Sequence, residues 1–495
     1  MKKYEFKLAI ESDRRPLVSI ENFVIHPGRI HFLFGESGIG KTLLSQAIYG
    51  LLDPDELRIS INGLTYREYL RSSFVQVIRP NSFFVFQEPS SHLNPMLTLK
   101  TQIREGALSR ASNEGEIIQS IWPEDRDAGA GKLLNIYPKP YRPSGGEKQR
   151  FLLTMAFKKI SLLQNGQDNL FVFDEPTGNL DDALRNRVLN LLLDYYRKKA
   201  FTVLFITHDY SLISELHDHY ADLGGSIRLY EIIRKTPPEV RQKAFSAAVY
   251  LKWLKKLSPG PVDKKKPKTV LLLQGGFRAI GKEFHFYRNA ELKKKTTLTL
   301  RCGEFVYLKA ASGGGKTTVA KIILGMLSAQ NLKMNCCGHK IDSATSGAYW
   351  RKHLWGRRAA MVFQHADEAL DRQSTVLQAF RGLPIKAENF RERIIHALQN
   401  IFEEKIDRKF LDKKIAFLSG GQKQRLNILR ALILDTDLVI LDEPLNGLDF
   451  ASIDKVLYLL EEKRKQGAAV LLISHNEEIF SRLVPEQNVY YLKTY

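Results

Sequence analysis

Two glycine-rich segments have the residue types and the spacing needed to hold phosphate. GESGIGKT lies at residues 35–42, and AASGGGKT lies at residues 310–317 with alanine in the leading position. Glycines let consecutive backbone N–H groups face phosphate oxygens where a helix begins, the lysine adds positive charge, and the threonine hydroxyl can ligate Mg²⁺. Both segments follow an apolar run, so we predict two sites for a nucleoside triphosphate.

An acidic pair ends an apolar run in each half of the chain. The pairs are Asp174-Glu175 in NLFVFDE and Asp442-Glu443 in LVILDE. At the end of a strand beside the phosphate loop, the aspartate can hold Mg²⁺ and the glutamate can polarise the attacking water. A single such pair is typical of an ordinary solvated turn, but its repetition beside two phosphate loops favours a catalytic role.

A histidine also ends an apolar run twice, as His208 in FITHD and His475 in LISHN. A single histidine is more often structural or solvated. Because the pattern repeats, we interpret both imidazoles as hydrogen-bond partners of a γ-phosphate.

Serine–glycine turns that open a helix form a third repeated pattern, at residues 144–147 (SGGE) and 419–422 (SGGQ). This geometry also suits an anion. One domain does not need two phosphate sites, so we expect each turn to complete the nucleotide site of the opposite domain.

These patterns recur in the same order, which indicates a duplicated domain. Short apolar runs separated by helical stretches predict a buried, mainly parallel sheet and an α/β fold in each half. Proline, glycine and lysine mark a linker at 259–268 between domains at 1–258 and 269–495. Residues 239–257 show a helical apolar stripe, which predicts a packing helix at the end of the first domain or, alternatively, a helix that binds a membrane surface or partner.

Composition limits the remaining function classes. Of 495 residues, 74 are basic and 54 acidic, giving a net charge of +20, which suits either a solvated basic surface or a polyanionic partner. Three cysteines cannot form a disulfide framework, so a reducing cytosolic environment is expected. Apolar runs are too short to span a bilayer, and the start of the chain does not resemble a secretory signal.

With these motifs in place, the chain resembles an ABC ATPase twice over. The resemblance identifies 35–42 and 310–317 as Walker A loops, Gln87 and Gln364 as Q-loop glutamines, 144–147 and 419–422 as signatures, and Asp181 and Asp449 as D-loop residues. It implies tandem P-loop NTPase domains, each with a mainly parallel core sheet, an antiparallel β subdomain and a helical subdomain.

The resemblance also implies the cofactors ATP and Mg²⁺ and a set of site residues. The catalytic residues are expected to be Glu175, Glu443, His208, His475, Gln87 and Gln364. The residues expected to bind ATP are Gly35, Glu36, Ser37, Gly38, Ile39, Gly40, Lys41, Thr42, Ala310, Ala311, Ser312, Gly313, Gly314, Gly315, Lys316, Thr317, Thr318, Ser144, Gly145, Gly146, Glu147, Ser419, Gly420, Gly421 and Gln422, with Tyr287 stacking on adenine in the second domain. The Mg²⁺ residues are expected to be Thr42, Gln87, Asp174, Thr317, Gln364 and Asp442.

The family buries ATP between the Walker A loop of one domain and the signature of the other, which here implies an intramolecular pseudo-dimer. Three departures fall in one composite site: Ala310, Pro143 in place of leucine, and Glu147 in place of glutamine. We expect this second site to turn over more slowly. Ala310 costs on the order of 1 kcal/mol if the turn needs positive φ, and is neutral if φ is negative.

FQEPSSHLNP, at residues 86–95, resembles the Q-loop region of peptide and nickel importers. This resemblance implies an energy-coupling subunit that binds transmembrane permease subunits, with a substrate-binding protein as a further candidate partner, on the cytoplasmic face of the cell membrane. No direct contact with nucleic acid is expected. The alternative is a soluble ABC-F-like, ribosome-associated translation factor, although PTGNLD, PLNGLD and the short linker depart from that class.

Overall fold

The computed structural model divides the chain into two compact units, Met1–Ala248 and Val249–Tyr495. It describes residues 3–13, 15–105, 108, 114–122, 143–164, 166–178, 182–235, 238–259, 268–311, 313–385 and 390–495. Among the expected features, Asp181, Ser312 and most of the linker at 259–268 lie outside these residues. Within the described part of the chain, no helix is both long enough and apolar enough to cross a bilayer.

The first unit is built on one twisted sheet. Its strands are β1 (Tyr4–Ser12), β2 (Arg15–Ile25), β3 (Ile30–Gly35), β4 (Arg58–Ile61), β5 (Leu64–Thr65), β6 (Phe83–Val85), β7 (Phe171–Asp174), β8 (Val203–Ile206), β9 (Ile227–Arg234) and β10 (Glu239–Ala244). Their order is β5-β4-β1-β2-β10-β9-β3-β8-β7-β6. The half from β9 to β6 pairs in parallel, whereas β1 pairs antiparallel with β2 and β4.

Helices connect the parallel strands of this unit. They are α1 (Lys41–Tyr49), α2 (Tyr66–Leu70), α3 (Ser73–Ile78), α4 (Leu99–Ile103), α5 (Glu114–Ile121), α6 (Gly145–Ser161), α7 (Asp182–Lys198) and α8 (Leu212–His219). The strands β3, β7 and β8 are buried along their whole length because their apolar side chains are covered on both faces. Their carboxyl ends therefore meet at one edge of the sheet, which carries the candidate site.

The second unit repeats the parallel core but divides its strands between two sheets. The strands are β11 (Thr269–Leu273), β12 (Phe277–Ala279), β13 (Lys282–Tyr287), β14 (Lys295–Thr296), β15 (Leu298–Arg301), β16 (Phe305–Lys309), β17 (Lys333–Cys336), β18 (His339–Asp342), β19 (Ala359–Val362), β20 (Leu438–Asp442), β21 (Ala469–Ile473) and β22 (Val489–Thr494). One sheet runs β15-β11-β17-β18 and is antiparallel, and the other runs β12-β13-β22-β16-β21-β20-β19 with β14 paired to β13.

The helices of the second unit follow the same plan as those of the first. After α9 (Ala247–Lys256), they are α10 (Lys316–Ile323), α11 (Gly347–His353), α12 (Phe390–Ile401), α13 (Arg408–Leu411), α14 (Gly420–Leu432), α15 (Phe450–Lys465) and α16 (Glu477–Leu483). The fold is thus a tandem pair of α/β cores with antiparallel β layers and helical segments, as the resemblance implied.

The apolar stripe at residues 239–257 is not one helix. Glu239–Ala244 forms β10, which pairs with β9 and β2, and only Ala247–Lys256 is helical. Helix α9 packs within the second unit, where Tyr250 and Leu254 are buried. The boundary between the compact units therefore falls after residue 248, ten residues before the expected boundary at 258. The reason is that the aromatic side chains of α9 donate hydrogen bonds to α15 and α16 of the second unit.

Candidate functional site

The first phosphate loop connects β3 to α1. Gly38 and Gly40 have positive φ angles of 78° and 105°, which glycine adopts without steric cost, and Gly40 is the N-cap of α1. Lys41 is buried, and its Nζ donates hydrogen bonds to the carbonyl oxygens of Gly35 (2.7 Å) and Glu36 (3.0 Å). The ammonium group of Lys41 thus lies against the backbone of its own loop at the start of α1, an arrangement suited to a polyphosphate.

The second phosphate loop connects β16 to α10 and has the same form. Gly313 and Gly315 have φ angles of 71° and 87°, and Gly315 is the N-cap of α10. Lys316 Nζ donates a hydrogen bond to the carbonyl oxygen of Ala310 (2.8 Å) and lies 3.5 Å from His475 Nε2. Both loops therefore have a buried lysine near the position expected for the β- and γ-phosphates.

The two loops differ in their leading residue and in the residue four positions later. The first loop has Gly35 and Ile39, and the second has Ala310 and Gly314. Gly35 has φ +142°, and a Cβ placed there would lie 2.7 Å from the carbonyl oxygen of Ile232 in β9. Ala310 is not among the described residues with positive φ, so it has no such strain. A Cβ placed on Gly314 would lie 3.0 Å from the Ala310 Cβ, whereas the first loop has buried Ile39 at that position.

The aspartates that end β7 and β20 are suited to a divalent cation. Asp174 is buried, and neither of its carboxylate oxygens accepts a well-formed hydrogen bond within the described residues. Burial raises the pKa of Asp174 to about 6, opposed by the nearby Thr42 and Lys41 side chains. Burial likewise raises the pKa of Asp442, opposed by Thr317, and Asp442 Oδ2 has no partner within the same described residues. Unsatisfied carboxylate oxygens beside a threonine hydroxyl fit Mg²⁺, which prefers hard oxygen ligands.

In the first unit, the catalytic glutamate candidate contacts two other residues that were predicted to be catalytic. Gln87 Nε2 donates a hydrogen bond to Glu175 Oε2 (3.0 Å), and His208 Nδ1 lies 3.2 Å from Glu175 Oε1. Burial raises the pKa of Glu175, but His208 and Lys41 together lower it by more than burial raises it, so the net shift of this pKa is downward. The structure thus brings Gln87, Glu175 and His208 together at the end of the sheet.

In the second unit, the corresponding glutamate is held differently. Ser474 Oγ donates a hydrogen bond to Glu443 Oε2 (2.9 Å), and the His475 backbone N–H donates another (3.1 Å). His475 Nε2 is 3.6 Å from Glu443 Oε1, and the described residues show no hydrogen bond from Gln364 to Glu443. Burial raises the pKa of Glu443 to about 7 despite these donors. Glu175 and Glu443 both have positive φ, at 45° and 49°, so both backbones take the same unusual turn.

The two signature turns are helix caps of the same type. Ser144 caps α6 and Ser419 caps α14, each in a capping box with the residue three positions later. Ser144 Oγ donates to Glu147 Oε2 (2.8 Å), which also accepts from the Ser144 backbone N–H (2.8 Å). Gln422 supplies the corresponding oxygen in the second unit, so the first signature has a carboxylate where the second has a neutral amide.

The structure contradicts one predicted site residue and leaves another outside the described part of the chain. Tyr287 is 2% exposed in β13, and its hydroxyl is bonded to that of Tyr495 (2.8 Å). Its ring is therefore not available to stack on adenine. Asp181 is not described, whereas its counterpart Asp449 caps α15 by accepting a hydrogen bond from the Ser452 backbone N–H (2.7 Å).

Sequence reasoning missed Ser474. It named Ile39 and Gly314 as ATP-binding residues but did not relate them to the leading residue of each loop. Ser474 directly precedes the predicted histidine, as Thr207 does in the first unit, and a hydroxyl in both copies was the available signal. Both hydroxyls accept a hydrogen bond from the backbone N–H two residues later, Asp209 (3.0 Å) or Asn476 (3.1 Å), but within the described residues only Ser474 also donates one to the glutamate.

Comparison with known proteins agrees with this geometry. The family model described as "ABC transporter" matches residues 19–178 and 293–446, and neither match extends to His208 or His475. Each match includes a phosphate loop, a signature turn and an acidic pair.

Curated relatives match nearly the whole chain. The "Uncharacterized ABC transporter ATP-binding protein YejF" of Escherichia coli (strain K12) is 29% identical, covering 95% of this chain and 89% of its own. The "Glutathione import ATP-binding protein GsiA" of Escherichia coli O157:H7 is 25% identical, covering 98% and 84%. The "Peptidoglycan transport ATP-binding protein YejF" of Agrobacterium fabrum (strain C58 / ATCC 33970) is 28% identical, covering 93% and 85%.

Solved structures show the same fold. A structure titled "RNase-L Inhibitor" matches with a TM-score of 0.60 at 15% identity, covering 98% of this chain and 89% of that one. A complex of the archaeal ribosome recycling factor aABCE1 matches with a TM-score of 0.58 at 16% identity, with coverage of 96% and 87%. At this identity the likeness concerns the fold alone.

Proposed function

Because this chain belongs to the ABC transporter family, as an ATP-hydrolysing, ATP-binding protein, we propose that it powers the import of a small peptide-like solute through a membrane permease. The observation that carries the proposal is the duplicated strand-end site. Each copy has a phosphate loop, a buried aspartate with an unsatisfied oxygen and a glutamate next to a histidine. ATP hydrolysis at such a site does not by itself move a solute, so the free energy that it releases must be used by a partner protein.

ATP would be held by residues 35–42 and 310–317, and Mg²⁺ by Asp174 with Thr42 and by Asp442 with Thr317. Bound Mg²⁺ supplies neutralisation of phosphate charge. Glu175 and Glu443 would orient and deprotonate the attacking water, while His208 and His475 would donate to the γ-phosphate. Gln87 and Gln364 would report nucleotide occupancy to the permease and complete the Mg²⁺ shell.

Each nucleotide would also require the signature of the opposite unit, which makes the working form an intramolecular pseudo-dimer. The first loop would use residues 419–422, and the second loop would use residues 144–147. Glu147 then adds negative charge beside the anion at the second site. In addition, the described residues show no hydrogen bond from Gln364 to Glu443 like the one that Gln87 donates to Glu175. Both features support slower turnover at the second site, whereas Ala310 does not contribute through strain.

The relatives support a cargo class and a location. Two of them are named for the transport of glutathione or peptidoglycan, and the segment at residues 86–95 resembles that branch. We infer a peptide-like cargo, permease subunits as direct partners, a substrate-binding protein as a further partner, and the cytoplasmic face of the cell membrane as the working place. The "RNase-L Inhibitor" and the archaeal ribosome recycling factor share only the fold with this chain, so they do not favour a translation factor.

The catalytic assignment is tested by replacing each glutamate alone and both together. We expect Glu175→Gln to remove most ATP turnover, Glu443→Gln to remove the smaller part, and the double variant to lose on the order of a hundredfold or more. Phosphate release measured with the purified chain gives the three rates. Equal losses from the two single variants would contradict the asymmetry, and normal turnover in the double variant would contradict the catalytic role.

The transport assignment needs a separate measurement. Affinity purification of the chain from membranes should recover a multi-span permease. Sedimentation with ribosomes at low salt, lost steeply at high salt, would instead favour the translation factor, since attachment to phosphates weakens as salt rises.

A further inference from the structure

Helix α9 has an aromatic face that the proposed function does not use. Tyr250 is completely buried and Leu254 is 2% exposed, whereas Lys252, Lys255 and Lys256 face solvent. A helix with this pattern could lie on a membrane or pack on protein. Its buried face is already covered by helices of the second unit, so packing on protein is what the structure shows.

One of these contacts reaches the start of α16. The Tyr250 hydroxyl donates a hydrogen bond to Glu478 Oε2 (2.8 Å). Glu478 is the second residue of α16, and the helix begins two residues after His475. The hydroxyl of Tyr250 therefore holds the first turn of α16, which follows His475, the proposed donor to the γ-phosphate.

The other contacts reach the start of α15. Trp253 Nε1 donates a hydrogen bond to Asp454 Oδ1 (2.6 Å) in the second turn of α15. The rings of Trp253 and Tyr250 also pack edge-on against Phe450, with centroids 5.0 and 6.0 Å away. Phe450 is the first residue of α15 and directly follows its N-cap, Asp449. A short stretch of α9 therefore contacts the helices that leave both of these catalytic loops.

The first unit links the same two regions by a different device. Arg185 in α7 donates hydrogen bonds to Asp209 Oδ2 (2.7 Å) and to Ser211 Oγ (2.8 Å), so α7 is tied directly to the loop that follows His208. The second unit has buried Ile453 where the first has Arg185, and Asn476 where the first has Asp209. It cannot form that ion pair, and α9 occupies the corresponding role.

We propose that Tyr250 and Trp253 are positioning residues for the second nucleotide site: together they hold the starts of α15 and α16 in a fixed relation and so set Asp449 and His475. The inference depends on the proposed function for the roles of those two residues. Because the paired donors and rings act on helix starts rather than on ATP, their loss changes the placement of catalytic groups and not the affinity for nucleotide.

The test uses Tyr250→Phe/Trp253→Phe, which keeps both anchors aromatic but removes both hydrogen-bond donors. In a Glu175→Gln background, where the second site supplies the turnover, we expect kcat to fall about tenfold and KM for ATP to stay within about twofold. Hydrogen exchange should rise at residues 446–452 and 474–480. Lys252→Ala, on the exposed face of the same helix, is the matched control and should change neither readout.

Glu478→Gln and Glu478→Leu refine the test, because glutamine keeps an acceptor for the Tyr250 hydroxyl and leucine does not. We expect the glutamine variant to behave like the parent and the leucine variant like Tyr250→Phe. Unchanged exchange at both helix starts in the double variant, or an equal fall in turnover when the same substitutions are made in a Glu443→Gln background, would overturn the proposal. Turnover that survives Glu175→Gln/Glu443→Gln would instead refute the proposed function, whatever the exchange data show.

Discussion

The two nucleotide sites have similar backbones, but different neighbouring groups hold the catalytic glutamate in each. In the first unit, Glu175 is held by Gln87 and lies beside His208. In the second unit, Glu443 is held by Ser474 and a backbone N–H. Phosphate binding depends mainly on backbone N–H groups, so the loops remain alike, whereas the orientation of the carboxylate depends on whichever neighbours are available.

The difference teaches that substitutions in a duplicated site must be read together with their neighbours. Alanine at position 310 is harmless in its own loop because Gly314 leaves room for it and because its backbone does not require positive φ. The same alanine in the first loop would meet the carbonyl of Ile232. Exchanges between the two copies can therefore show which differences matter to function.

The largest effect is expected from exchanging the leading residues of the loops. Gly35→Ala places a Cβ 2.7 Å from the Ile232 carbonyl oxygen at φ +142°, and we expect it to weaken ATP binding at the first loop about a thousandfold, or about 4 kcal/mol. Ala310→Gly should change binding at the second loop less than about twofold. Titration with a non-hydrolysable ATP analogue measures both, with Lys316→Ala or Lys41→Ala disabling the other loop. Comparable losses from the two exchanges would contradict the steric explanation.

The two units are expected to differ in how their stability depends on pH, because one central strand contains a buried histidine and its counterpart does not. His31 is completely buried in β3, where burial lowers its pKa to about 4, and the corresponding residue in β16 is Val306. The unfolded chain takes up a proton near pH 6.5 and the folded one only near 4, so the first unit loses up to about 3 kcal/mol as pH falls through this window and none above it.

Hydrogen exchange of β3 and β16 amides between pH 7 and 4.5, corrected for intrinsic exchange rates, measures this difference. We expect protection in β3 to fall with acid more steeply than protection in β16. His31→Gln, which has no titratable group, should flatten the response of β3. A response of β3 that persists in this variant would assign the acid sensitivity to another group.

Much of this architecture could be predicted from the sequence, because the repeated motifs end apolar strands whose direction and burial follow from composition. The phosphate loops, Asp174 and the positions of Glu175 and His208 at strand ends all belong to this class. Residues brought together by packing could not be predicted. An apolar stripe marks α9 as buried but does not name its partner, and a tyrosine near a phosphate loop gives no sign that its ring, like that of Tyr287, is inside the sheet.

A smaller effect is expected from replacing Gly314 with isoleucine, the residue at the corresponding position of the first loop. Gly314→Ile builds a side chain 3.0 Å from the Ala310 Cβ and 2.8 Å from the Ala311 carbonyl oxygen, so ATP binding at the second loop should weaken by about 2 kcal/mol. Ala310→Gly/Gly314→Ile, which restores the pairing of the first loop, should recover about half of the loss. Analogue titration of the four chains gives the coupling energy. Strict additivity would show that the two positions do not compensate for each other.

The smallest effect separates the two glutamates themselves. The Ser474 hydroxyl accepts a hydrogen bond from the Asn476 backbone N–H (3.1 Å), which can only donate, so its own proton is directed to Glu443. Ser474→Ala in a Glu175→Gln background should lower kcat about fivefold, or about 1 kcal/mol, with KM unchanged, because the serine restrains the carboxylate and not the nucleotide. Thr207→Ala in a Glu443→Gln background is the matched control, and its effect should stay below about twofold because Gln87 and His208 flank Glu175. Equal losses would mean that the hydroxyl before the histidine acts on the strand end in both units, and the difference between the glutamates would then not lie in how each carboxylate is held.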